Sequence, residues 1–213
     1  MKITRKNLLI FSVSLVLICL VTFSVRFIKY VDATIFKITA QVFLNLVNGL
    51  IAWMAMMLTD MKFEIDLKNK RQYLIGAAIA LALSILIAIV PALCGFSLIG
   101  NHMDFSWFSL IYDFVLYLIV IGPVEELVFR VYLQDFLVSL FGTNKWLGVV
   151  IASALFGLWH IINGNIFQAL FTFGIGLVFG FAKYKVKGCG YAGVAFGHGL
   201  YDFLNSLVRM FIL

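Results

Sequence analysis

Apolar runs long enough to cross a bilayer dominate this chain, and they leave few folds open to it. A spanning helix needs about 20 apolar residues. Seven stretches qualify, at 7–28, 36–59, 73–95, 107–139, 146–163, 165–183 and 190–212, and the loops between them are short. The sequence therefore predicts an all-α, polytopic integral membrane helical bundle of about seven transmembrane helices, with residues 1–213 as one transmembrane domain. Charge agrees: 12% of residues are Asp, Glu, Lys or Arg, where a soluble domain carries about a quarter. The net charge of +6 does not point to nucleic acid, because the basic residues sit at the ends of apolar runs, where membrane topology places them. The implied surroundings are the lipid bilayer.

The segment 107–139 is too long for one simple span, since a straight helix over it measures close to 50 Å. It crosses either once, continuing along or beyond an interface, or twice with a break at Gly122-Pro123. Loop charge favours one crossing. That topology puts 11 Lys and Arg on the side of the N-terminus, the 60–72 loop, Lys145 and the Lys183–Lys187 loop, against 4 on the other: Arg26, Lys29, Lys37 and Arg209. The positive-inside rule then places the N-terminus inside and the C-terminus outside. The first run follows Lys2, Arg5 and Lys6, exceeds the length of a signal-peptide core and lacks a small-x-small exit, so it reads as an uncleaved helix. Cys19, Cys94 and Cys189 lie in or beside apolar runs without paired spacing, which predicts buried thiols and no disulfide framework. Gly176 and Gly180, and again Gly193 and Gly197, have the spacing of close helix packing. Trp107 and Trp146 stand at span ends, as interfacial anchors do.

Against this background the polar residues inside the spans stand out. "PVEELVFRVYLQ", 123–134, sets Glu125, Glu126 and Arg130 among Leu, Val and Phe. Carboxylates in hydrocarbon cost several kcal/mol each. On a helix Glu126 and Arg130 are i and i+4 and can pair, while Glu125 points about 100° away. "FGLWH", 156–160, carries His160 in the next span, and "HGLYD", 198–202, sets His198 and Asp202 on one face of the last. None of these groups faces lipid cheaply. The low-cost arrangement is convergence on one hydrated cavity. Such a cavity has a carboxylate to take a proton from water and polar groups to stabilise an oxyanion. Glu125, His160, His198 and Asp202 are also suitable ligands for a divalent metal such as Zn2+.

At these positions the chain resembles the CAAX-protease and bacteriocin-processing family of intramembrane proteases, also called CPBP or Abi. "EELVFR" is similar to its E-E-x-x-x-R motif, "FGLWH" to F-x-x-x-H, and "HGLYD" to H-x-x-x-N/D, in the family's order and on separate helices. The resemblance covers about residues 120–205. It implies an endopeptidase that hydrolyses a peptide bond of a membrane-associated or lipidated peptide or protein. By position, Glu125 would be the general base, His160 would help to hold the water, and His198 and Asp202 would polarise the scissile carbonyl. Glu126 and Arg130 would support them from behind. The prenyl-protein proteases of the family have Asn where this chain has Asp202. An ionised carboxylate cannot donate to an oxyanion, so Asp202 must be protonated, pair with His198 or bind a metal. The family is described both as metalloproteases and as metal-free glutamate enzymes, and the sequence leaves both open. A bacterial cell membrane suits so compact a form.

Two other functions use the same residues. Glu, His and Asp chains also form proton relays in small transporters, although no internal repeat of the transporter kind is visible. A non-catalytic immunity or scaffold protein would keep the motifs as a packing core. One geometrical tension accompanies all three readings. With spans starting at Trp146 and at residue 190, His160 lies about 20 Å from the inner face and His198 about 12 Å. Their convergence requires shifted helix starts or a funnel-shaped cavity.

Overall fold

The structure is a computed structural model that describes residues 3–28, 34–162 and 164–213, except for the side chains of Ile28, Thr34, Ile35 and Lys37. Lys29 thus lies outside the described residues. Among these residues there are seven long helices and no strand: α1 (Arg5–Ile28), α2 (Thr34–Leu58), α3 (Lys70–Leu93), α4 (Trp107–Leu140), α5 (Lys145–Ile161), α6 (Ile166–Lys185) and α7 (Tyr191–Phe211). Five of them, α1, α2, α3, α4 and α6, are long and apolar enough to cross a membrane by length and composition. The helix order follows the expected seven runs, but the span criterion is met by five of these helices. Leu9, Leu20, Leu74, Leu86 and Phe108 turn more than half of their surface outward. Such broad apolar exposure is stable only against lipid. The chain is an integral membrane protein.

Residues 107–139 form one continuous helix, which runs on to Leu140. It does not break at Gly122-Pro123; it widens. Over Leu116–Ile121 the chain makes π-type turns, and the Gly122 N–H bonds the Tyr117 carbonyl five residues back. The same device occurs in α3, where Val90 N–H reaches the Ile85 carbonyl just before Pro91. A proline ring collides with the carbonyl four residues earlier. Widening the preceding turn moves that carbonyl aside and lets the helix continue. Leu127–Leu133, which holds Arg130, is also π-type.

Backbone contact between helices fixes the bundle. A Cβ on Gly122 would lie 2.6 Å from the Ala195 carbonyl and 2.7 Å from the Gly199 nitrogen. Glycine at both positions lets α4 and α7 touch main chain to main chain. Gly193 and Gly197 do the same for α7 against α3, where Gly197 faces Gly76. Gly176 makes room for Phe156 and Arg130, and Gly180 for Gln134. The spacing was expected to mark close packing, and both pairs do so; Gly174 has nothing within 4 Å of its notional Cβ. Burial in hydrocarbon offers little drive between helices, so such close approach and polar contacts hold membrane bundles together. The apolar core centres on Ile18, Met56, Phe129, Tyr132, Leu133 and Phe156, from α1, α2, α4 and α5.

Candidate active site

The expected depth mismatch is removed by where α7 begins. Its first residue, Tyr191, donates its phenol to the Pro123 carbonyl at 2.8 Å and packs on the cluster of Val128 and Val131. α7 therefore starts beside the middle of α4, not at its end. Glu126 lies 14 residues from the end of α4 at Leu140, and His160 lies 15 residues into α5, which follows by a short turn. At 1.5 Å per residue both stand roughly 20 Å up the bundle. From that raised start His198, two turns on, stands beyond the level of Glu126, and because helical side chains lean towards the N-terminus of their own helix those of Glu126 and His198, on antiparallel helices, lean towards each other and meet.

There the three motifs meet. Glu126 and Arg130 are fully buried, with Arg130 Nε 3.2 Å from Glu126 Oε2. The other carboxylate oxygen, Glu126 Oε1, lies 3.0 Å from His198 Nδ1. His198 Nε2 is 3.4 Å from Asp202 Oδ2 and 3.8 Å from Glu125 Oε2. The ring of Phe156 organises the rest. His160 sits edge-on to it at 4.8 Å between centroids, His198 at 5.6 Å, and the Arg130 guanidinium carbon lies 4.9 Å from its centre. His160 Nδ1 is 2.9 Å from the Phe156 carbonyl. A carbonyl only accepts, so Nδ1 carries the proton and Nε2 is left as the acceptor of the neutral ring.

Glu125, His160, His198 and Asp202 all line one cavity of about 310 Å³. Glu126 and Arg130 do not line it; they stand behind His198. A second cavity of about 570 Å³ adjoins the first, sharing Tyr117, His160, Tyr201 and Asp202, and extends towards Ser97–Gly100 and Arg209. The metal reading finds no ligand set. Among the described residues, no three His, Cys, Asp or Glu side chains are grouped so that they could hold a metal ion. What the arrangement offers is a carboxylate facing a polar cavity, an oriented imidazole beside it, and a second imidazole on the adjoining wall.

Several cavity residues were not singled out in the sequence. Thr22 of α1 and Gln41, Asn45 and Asn48 of α2 line it, so the first two helices add more than spans. A signal existed: 41, 45 and 48 are spaced four and three apart, one face of a helix. Tyr117 gave no such signal, since it sits one position from Leu on either side. Ser206 hydrogen-bonds Asp113 where the N-terminal part of α4 meets the C-terminal part of α7. Asp135 of α4 pairs with Lys183 of α6 at 2.7 Å.

A family model matches residues 106–204; its description is Rce1-like, type II CAAX prenyl endopeptidase Rce1-like. Over those residues the chain is similar to that family. This is the CAAX-protease family whose three motifs the sequence resembles, and the matched segment runs from the start of α4 into α7, taking in Glu125 through Asp202. Neither the curated proteins nor the solved structures contain a match.

Proposed function

We propose that this chain is an intramembrane endopeptidase that cleaves a membrane-associated or lipidated peptide, with Glu125 as the general base. The observation that carries the reading is the approach of Glu125 and Asp202 to the same nitrogen of His198 inside the cavity, within a segment similar to prenyl endopeptidases. Water held between Glu125 and His160 Nε2 gives its proton to Glu125, and the oxygen attacks the scissile carbonyl carbon. His198 donates from Nε2 to the developing oxyanion. Glu125 then passes its proton to the departing amine, and the peptide bond breaks. General-base assistance of this kind is worth about 10²–10⁴-fold, and one oxyanion donor about 10²–10³-fold.

Asp202 has a role that needs no protonated carboxyl. At 3.4 Å it accepts from His198 Nε2 and keeps a proton there, ready to be shared with the oxyanion. Glu126 does the corresponding work at Nδ1 and fixes the ring, while Arg130 compensates the Glu126 charge. These two are positioning residues. The whole chain acts as one transmembrane domain with residues 120–205 as its catalytic core. The 11-to-4 division of Lys and Arg puts the N-terminus and the 60–72 loop inside.

The test is purified protein in liposomes with a fluorogenic prenylated CAAX-type peptide, read by mass spectrometry. A single defined cut that disappears in the Glu125→Gln variant supports the proposal. Proton flux without cleavage would establish the transporter reading instead, and neither activity the scaffold reading.

A further inference from the structure

α2 turns a polar face towards the cavity, and its most buried member has a defined orientation. Asn48 is 2% exposed. Its Nδ2 donates to Thr22 Oγ1 at 3.3 Å, and the Thr22 hydroxyl in turn donates to the Ile18 carbonyl at 2.8 Å. The single hydroxyl proton of Thr22 is thereby used, so Thr22 can only accept from Asn48. The amide cannot flip without setting two acceptors against each other. Asn48 Oδ1 is consequently held as an acceptor, and among the described residues it has no hydrogen-bond partner. Asn48 lines the same cavity as Glu125 and His198. Its place there is set by the next residue: a Cβ on Gly49 would lie 3.2 Å from Val124 Cγ1, and Val124 precedes Glu125. A buried acceptor without a donor is costly, and in a native protein such a group calls for an account of its own.

We infer that Asn48 Oδ1 accepts a backbone N–H of the bound peptide and fixes the register in which the scissile bond meets Glu125, with Thr22 setting the direction of the amide. Asn48 is a substrate-positioning residue contributed by the half of the chain outside the Rce1-like segment. This inference rests on the proteolytic reading of the cavity. A backbone N–H is the fitting donor because every peptide residue other than proline presents one, so recognition here governs register without selecting a side chain.

The experiment measures binding, so that it does not depend on turnover. The Glu125→Gln protein in nanodiscs is titrated with a fluorescent prenylated CAAX-type peptide and with a series in which one backbone amide at a time is an ester. The ester removes one N–H without adding bulk. One ester position should weaken binding by about 3- to 10-fold, the range of a single net hydrogen bond. The same ester should cost nothing further when Asn48→Leu is also present. Thr22→Val, which keeps Asn48 but releases its orientation, should reduce the ester effect at that position. If every ester costs the same with and without Asn48, or if neither peptide binds, the inference is overturned. Parent protein that binds with this ester dependence yet never cleaves would defeat the hydrolytic reading and leave the acceptor role standing.

Discussion

Removing the Glu126 carboxylate charge should unfold the site from behind. Arg130 is fully buried, and its nitrogens have no hydrogen-bond partner among the described residues. Its compensation is the Glu126 carboxylate at 3.2 Å and the Phe156 ring at 4.9 Å. A ring face supplies at most about 2 kcal/mol to a desolvated cation. Breaking a buried pair by deleting one partner costs about 3–5 kcal/mol. Glu126→Gln keeps an acceptor for His198 Nδ1, so its loss lies in the uncompensated guanidinium and should fall in that range. For a chain of this length that corresponds to a fall in Tm of roughly 6–20 °C. Replacing both partners by apolar residues, Glu126→Leu with Arg130→Met, removes the unpaired charge and should recover most of the loss. Cleavage should not recover, because His198 then lacks the acceptor that orients it. Melting curves in detergent beside cleavage rates distinguish these effects. An unchanged Tm in Glu126→Gln, or a double variant less stable than either single one, would refute the reasoning.

Other expectations follow from the same geometry. Gly122→Leu should lower both stability and activity, because a side chain there meets the α7 backbone within 2.6 Å; overpacking of this kind costs about 1–3 kcal/mol or more, whereas Gly174→Ala, in open space, should leave both intact in parallel melting and cleavage assays. Asp202→Asn should retain substantial cleavage, since the amide oxygen still accepts from His198, while Asp202→Leu should lose at least about tenfold; equal loss in the two variants would remove the acceptor role. A cysteine placed at Lys145 should react with impermeant thiol reagents from the inner face only, and labelling from outside would overturn the topology.

Much of the fold was legible because lipid imposes length. The seven apolar runs became seven helices with ends shifted by a few residues, and the i,i+4 pairs Glu126–Arg130 and His198–Asp202 follow from helical geometry alone. The starting depth of α7 was not legible. It depends on the Tyr191 phenol reaching the Pro123 carbonyl and on Gly122 meeting Gly199, contacts between residues far apart in sequence. The π-type turns before Pro91 and Pro123 were hidden for a related reason: a proline inside an apolar run signals a kink or break, and only the neighbouring turn decides whether the helix widens and continues. The contribution of α2 lay in plain view as Gln41, Asn45 and Asn48. Uncharged amides cost too little in a membrane to stand out beside Glu, Arg and His. Asp202 was readable as a departure from the family's pattern, but the option it takes depended on the position of the His198 ring.

The central claim is that Glu125 takes the proton of the attacking water while Glu126 holds the structure that presents it. Glu125→Gln tests this most directly, because it preserves shape and hydrogen bonding but cannot accept that proton. The measurement is the single-turnover cleavage rate of a peptide the parent protein cuts, taken beside the melting temperature of the same preparation. The account predicts a loss of at least about 10²-fold with a Tm close to that of the parent. Near-parental cleavage by well-folded Glu125→Gln protein would contradict it.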